Sequence, residues 1–287
     1  MGAYRNIMPG FGTPADSNPP PELDWNMFLG PAPARAYNPN RGIYHFRWFW
    51  DYSGGQMTNL AHHALDIVHW TLGGELADVT SSGGRFALED NGETPDTQDA
   101  LFRFKSQGSG TAAESAAWTA AWSHREASAG PGTTSSIEFY GTKGMLSINR
   151  RGFKVLSDKR IRPANRVPQF AGAHPVGGPQ RVATTGPDEF WTTPIEDSSG
   201  SEREQFSRHA RNFLDCVKSR ETPISDLETA HRVSTLCHLA NLSLRLDRKL
   251  QWNWGAESVL GDREAASLLA RPYRPPWDAE LRALGVG

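Results

Sequence analysis

Two cysteines in 287 residues leave no material for a disulfide framework. Cys216 and Cys237 both lie in segments patterned as helices, so they read as buried thiols of a protein kept in a reducing compartment, the cytoplasm. Long hydrophobic runs are missing too. No stretch reaches the roughly 18 apolar residues of a membrane span, and no secretory apolar segment follows Met1, which excludes a membrane partner. Neither sign of charge is in excess: 30 Lys and Arg stand against 32 Asp and Glu, with no basic run. A nucleic-acid partner needs a basic footprint and finds none here. The last absence is a dinucleotide cradle. The pattern Gly-x-Gly-x-x-Ala occurs as Gly10-Phe11-Gly12-Thr13-Pro14-Ala15 and as Gly108-Ser109-Gly110-Thr111-Ala112-Ala113, but it has meaning only between a strand and a helix. The first match sits between Pro9 and Pro19, where no helix can open, and the second leads into a strand.

What is present is 38% hydrophobic residues, enough for a substantial core. Alternation and turn residues predict strands at Ala3 to Met8, Leu76 to Gly83, Asp99 to Lys105, Thr111 to Trp122, Thr134 to Tyr140, Met145 to Asn149 and Gly152 to Leu156. Short turns between successive strands imply antiparallel pairing, with one sheet face buried. Helical periodicity marks Glu202 to Ser219 and Asp226 to Leu246, and shorter helices are expected at Asp24 to Leu29 and Asp262 to Leu269. Residues 157–200 read as a long surface excursion. The expected class is α+β, a large, mainly antiparallel open sheet with helices packed on one face. One domain is expected over residues 1–254, with 255–287 as a tail wrapping it or a neighbouring subunit. A wide uncovered sheet face would be a liability, so a homo-oligomer formed through it is expected.

The stretch from Asp51 to Asp66 carries the chemistry. Gly54 and Gly55 break the chain, Ser53 or Thr58 can cap, and Leu60, Ala64, Ile67, Val68 and Leu72 form an apolar stripe that stops at Gly73 and Gly74. At about 100° per residue, Asn59, His63 and Asp66 fall within roughly 60° of one another, so one helix face presents an amide, an imidazole and a carboxylate. Imidazole suits proton exchange with an alcohol or carbonyl near neutral pH, and a nearby carboxylate fixes its tautomer. Two alternatives share the helix: a histidine held to a carboxylate for packing alone, and a metal site, since His62, Asp66 and His69 stand at i, i+4 and i+7. Against metal, no further cluster of ligands is offered by a distinct segment. Upstream runs an aromatic segment, Tyr44 to Trp50. It fills a core or, together with Tyr52, offers ring faces to a pyranose while Arg47 bonds hydroxyls, which makes Arg47, Trp48, Trp50 and Tyr52 candidate substrate contacts.

The string Gly54-Gly55-Gln56-Met57-Thr58-Asn59-Leu60-Ala61-His62-His63-Ala64-Leu65-Asp66 resembles the Gly-Gly-x-x-x-Asp-x-Gly-x-His-x-x-Asp signature of the Gfo/Idh/MocA family of nicotinamide-dependent sugar and cyclitol oxidoreductases, in its C-terminal domain. Similar segments occur in family order across the chain: Pro19 to Trp25, Leu29 to Pro33, Phe46 to Trp50, Gly141 to Gly144, Glu228 to Arg232, Leu250 to Trp252, Asp262 to Ala265 and Tyr273 to Trp277.

The resemblance implies that His63 is the catalytic histidine, exchanging a proton with the substrate hydroxyl, with Asp66 as the second carboxylate. Asn59 occupies the family's aspartate position, where it keeps hydrogen bonding and loses charge, and Ala61 replaces a glycine. NAD or NADP is implied as cofactor. The family's N-terminal Rossmann domain, with its Glu-Lys-Pro segment, is expected to be absent from this chain, so the reading is the substrate half of a sugar, glycoside or cyclitol dehydrogenase, inactive alone and completed by a longer chain or a separate Rossmann-bearing one. The alternatives are a stand-alone carbohydrate-binding or scaffold protein of that ancestry, and a redox-independent lyase or hydrolase using His63 as base.

Overall fold

Backbone hydrogen bonding in the computed structural model, which describes residues 1–105, 117–130, 137–158 and 190–285, orders the chain from β1 (Gly2–Asn6) and α1 (Trp25–Leu29) to α2 (His62–Leu72) and β2 (Glu75–Gly84). Next come β3 (Thr97–Lys105), β4 (Trp118–Arg125), β5 (Ala127–Ser128), β6 (Ile137–Gly141), β7 (Gly144–Asn149), β8 (Gly152–Ser157), β9 (Ile195–Asp197) and α3 (Glu202–Ser219). The chain ends with α4 (Leu227–Arg245), β10 (Leu250–Asn253), β11 (Ser258–Leu260), α5 (Arg263–Ser267) and α6 (Trp277–Ala283). Residues 1–135 and 220–287 form one compact unit, and residues 136–219 a second.

The first unit is built on a seven-stranded sheet in the order β11-β10-β2-β3-β4-β1-β5. Every pairing is antiparallel except β1 with β4. Strict alternation along β3 buries Ala100, Phe102 and Phe104 and exposes Leu101, Arg103 and Lys105. In register, Val79 and Ala120 flank Phe102, and Trp122 stands beside Ala100. Onto this inner face packs α4, which buries Val233, Leu236, Leu239 and Ala240, and α2 packs on α4. The architecture is thus the α+β class expected from the sequence, helices on one face of a mostly antiparallel sheet. Gln98 Nε2 crosses the interior to Ser81 Oγ at 3.0 Å and Asn241 Oδ1 at 3.2 Å, tying β2, β3 and α4 together.

The second unit holds the antiparallel sheet β6-β7-β8-β9 together with α3. The end of the expected excursion is a strand, since β9 pairs with β8 through Phe153 opposite Asp197 and Val155 opposite Ile195. Residues 159–189 of that excursion lie outside the described residues. So do residues 111–116 and 134–136 of two expected strands, and the glycine pattern from Gly108 to Ala113. Strand β4 continues past Trp122, its expected end, because His124 keeps the inward alternation. Residues 255–287 contribute β11 and α5 to the first unit, where Arg271 and Arg274 donate to the carbonyls of Asp51 and Asn26. Among the described residues no helix is long and apolar enough to cross a membrane.

Candidate active site

The double glycine is required by its surroundings. Gly55 adopts φ +64°, and a Cβ there would stand 2.6 Å from Thr94 Oγ1; a Cβ on Gly54 would collide with Asn241 Nδ2. That same Nδ2 donates to Gly54 O at 2.9 Å, so the turn is clamped to α4. Thr58 Oγ1 accepts from Gly54 N at 3.0 Å and donates to Gly55 O at 3.2 Å, closing the entry to the helix. The first full turn is a π-helix, Met57–Ala61, before α2 proper begins at His62. A π turn winds less per residue than an α turn, so Asn59 is displaced from the α-helical line through His63 and Asp66.

That displacement gives Asn59 a partner. Its Nδ2 donates to Gln56 Oε1 at 3.2 Å, and Gln56 Nε2 donates to Glu126 Oε1 at 2.6 Å. Trp48 Nε1 also donates to Glu126, 3.0 Å from each oxygen. Burial lifts the Glu126 pKa, and the Gln56 and Trp48 hydrogen bonds restrain it. Because both neighbours donate, the acceptor-only carboxylate dictates the rest: Gln56 must present its amide N–H inward, its carbonyl then receives Asn59, and among the described residues no donor reaches Asn59 Oδ1.

His63 is exposed in the first turn of α2 and meets the ring of His62 edge-on, centroids 6.4 Å apart. Ser234 Oγ donates to Ala230 O at 2.8 Å, so it receives His62 Nε2–H at 3.1 Å, which fixes that tautomer. Asp66 is half-buried one turn on. The His69 pKa is lowered chiefly by burial, with Asp66 opposing, and its ring stacks on Trp254. Among the described residues no three His, Cys, Asp or Glu side chains cluster as a metal site.

The four candidate contacts part company. Trp48 is 5% exposed and spends its N–H on Glu126. Arg47 donates to Tyr44 O at 2.6 Å and lies over the Tyr44 and Phe46 rings. Trp50 and Tyr52 line two cavities in the first unit, of about 750 Å³ and about 620 Å³. The smaller cavity is tied to the start of α2 twice, because Asn241 and Ser234 are in its wall. Burial raises the Tyr52 hydroxyl pKa, with Arg41 opposing. The sequence reading had no place for Gln56 and Glu126. The signal for Glu126 was the inward alternation Trp122, His124, Glu126 carried past the strand; for Gln56 there was none.

The family model described as "Oxidoreductase family, C-terminal alpha/beta domain", from the Gfo/Idh/MocA group, matches residues 10–82 and 201–279. Among solved structures, levoglucosan dehydrogenase in complex with NADH and L-sorbose is similar at 12% identity and a TM-score of 0.53, over 87% of this chain and 56% of that one. The complex of the same enzyme with NADH and levoglucosan gives 12% and 0.52 over 87% and 57%. The WlbA dehydrogenase from Bordetella pertussis, in complex with NADH and UDP-GlcNAcA, gives 15% and 0.44 over 72% and 49%. At these identities the likeness concerns the fold alone. The chain spans about half the length of the solved structures it matches. No curated protein matches the chain by sequence.

Proposed function

Since the chain belongs to the Gfo/Idh/MocA oxidoreductase family, we propose that it forms the substrate-binding half of an NAD(P)-dependent dehydrogenase acting on a hydroxyl of a sugar, glycoside or cyclitol. The observation that carries this reading is the exposed His63 at the start of α2, set directly after a clamped glycine turn and a π turn. In this reading His63 takes the proton of the substrate hydroxyl, or returns it to a carbonyl. Asn59 accepts a hydrogen bond from the substrate through Oδ1, an uncharged version of what the family aspartate offers, and Asp66 stands one turn on as the second carboxylate. Trp50 and Tyr52 furnish the wall against which the ring lies.

The described residues do not fit the dinucleotide itself. Gly10 and Gly12 are followed by extended chain, and no helix opens before Trp25. In this reading the nicotinamide is held by a Rossmann domain carried elsewhere in the protein or by a separate chain. The open face of the seven-stranded sheet, bearing Leu101, is proposed as the homo-oligomer interface. A second reading, a stand-alone carbohydrate-binding or scaffold protein, draws on Asn59 in the acid's place.

Calorimetric titration of the chain with pyranosides and inositols, and separately with NAD and NADH, tests this. Sugar binding that weakens in N59A is the expected result. Absence of any sugar binding would sink the substrate-domain reading, and micromolar NADH binding would refute the missing cradle. Turnover with a Rossmann partner restored then divides the dehydrogenase from the scaffold.

A further inference from the structure

The two cavities of the first unit share a sill made of Trp50, Tyr52, Arg245, Leu268 and Arg271. We propose that this sill is an oxyanion subsite and that the substrate carries a carboxylate or phosphate group. The inference rests on the reading of the cleft as the substrate site and adds the class of substrate.

The charge balance of the cleft is the argument. Two acidic residues line it, Asp51 and Glu257, and both are already matched. Asp51 pairs with Arg35 at 2.8 Å and Arg41 at 3.3 Å; Glu257 pairs with Arg232 at 2.8 Å and lies 3.0 Å from His231. Arg245 and Arg271 remain. Among the described residues neither has a carboxylate within 4.0 Å. Both are nonetheless held in place. The Arg245 guanidinium lies over the Trp50 ring, 5.1 Å from its centroid, and Arg271 donates one N–H to Asp51 O at 2.7 Å. A guanidinium anchored by its face or by one N–H keeps its remaining donors for a planar oxyanion.

The surroundings suit an anionic sugar rather than a bare ion. On one side of the sill Phe28, Ile43 and Phe46 give an apolar wall. On the other, Ser234, Thr235 and His238 bring hydroxyl and imidazole groups. His238 stands in the concave wall, reached by water yet enclosed, and its pKa is lowered by that desolvation and by Arg271 and His62. An anion seated beside Arg271 would reverse part of that field.

The test is titration of the chain with three probes, a neutral methyl hexoside, a hexuronate and a hexose phosphate, against wild type, Arg245→Gln and Arg271→Gln. Both arginines are exposed, so neither substitution opens a core cavity, and circular dichroism checks that each variant is folded. At least one acidic probe should bind roughly tenfold or more tightly than the neutral one, and each substitution should erase about tenfold of that preference, with a smaller change in neutral binding. Raising ionic strength from about 0.1 M to about 1 M, which shortens the screening length from roughly 10 Å to roughly 3 Å, should erode the same preference. The stronger acidic probe identifies the acid group, and the His238 titration followed by NMR should move upward when it binds. Equal binding of all three probes, indifferent to both variants, overturns the oxyanion subsite and leaves the substrate-domain reading standing. If none of the three binds, both readings fall.

Discussion

Glu126 shows how much one buried carboxylate organises. It accepts from Trp48 and Gln56 and through Gln56 orients Asn59, residues that are otherwise far from it in sequence. In Glu126→Ala two buried N–H groups lose their acceptor, and chemical denaturation should report a loss of about 3 kcal/mol. In Glu126→Gln the shape survives and the direction of the relay does not, because an amide both donates and accepts. Stability should then fall less than in the alanine variant, while sugar affinity drops with the Asn59 orientation; unchanged affinity would show that the relay is packing only. At His63 the expected effect is on chemistry. His63→Gln should leave sugar binding within a few-fold and lower turnover by roughly 10²–10⁴-fold once the nicotinamide partner is present, and wild-type turnover would remove the histidine from the mechanism.

At the scale of the element, the turn before α2 is the most constrained segment. Gly55→Ala must place a side chain at φ +64° against Thr94, so urea denaturation should show a loss of about 2 kcal/mol or more, whereas alanine at Gly12, also at positive φ but in open space, should cost less. The sequence displayed this turn and the helix after it plainly, because glycine pairs at 54–55 and 73–74 bracket an apolar stripe. The π turn left no trace there, since a one-residue change in winding does not disturb a stripe read over so few residues. β9, β10 and β11 were missed for a related reason: three or four residues are too short a sample of a period-two pattern. His63, Asn59 and Asp66 could be proposed as a group because they are close in sequence, although the π turn moves Asn59 off their common line. The contact of Glu126 with Gln56 and the places of Arg245 and Arg271 in the cavity walls could not be read there, because they depend on the sheet register and the packing of α4, contacts a single sequence does not contain.

Across the whole molecule, His124 sets an acid limit. It is 1% exposed, receives Trp122 Nε1–H on Nδ1 and donates from Nε2 to Pro95 O, the neutral form, and burial foremost lowers its pKa to about 4. A folded pKa below the unfolded value near 6.5 means that the unfolded chain takes up the proton first as pH falls. The stabilisation is therefore complete above about pH 6.5 and is lost on the way down through about pH 4, on the order of 3 kcal/mol. Denaturation curves at stepped pH should show this slope in wild type and a shallower one in His124→Gln, the remainder coming from His69 and His238, whose pKa values are also lowered; an identical slope in both would assign it elsewhere. Asp96 and Asp99, whose pKa values are lowered, act only at more acid pH. The open sheet face makes its own prediction. Leu101 is 47% exposed at its centre, and sedimentation should find an oligomer that Leu101→Glu disperses; a wild-type monomer at micromolar concentration would rule that interface out.

The division of the first unit into residues 1–135 and 220–287 also fixes an order of events during synthesis. Strand β2 waits for β10, which pairs Leu250 with Val79, and the inner sheet face waits for α4. Among the described residues the strands of the second unit pair with one another, and they emerge before either. On a ribosome that has reached residue 219, the small unit is complete in sequence while the large sheet, still without α4, exposes Phe102 and Trp122 to water or to a chaperone. Pulse proteolysis of stalled chains would see protection of β6 to β9 first, and protection of β2 to β4 only once α4 has left the tunnel.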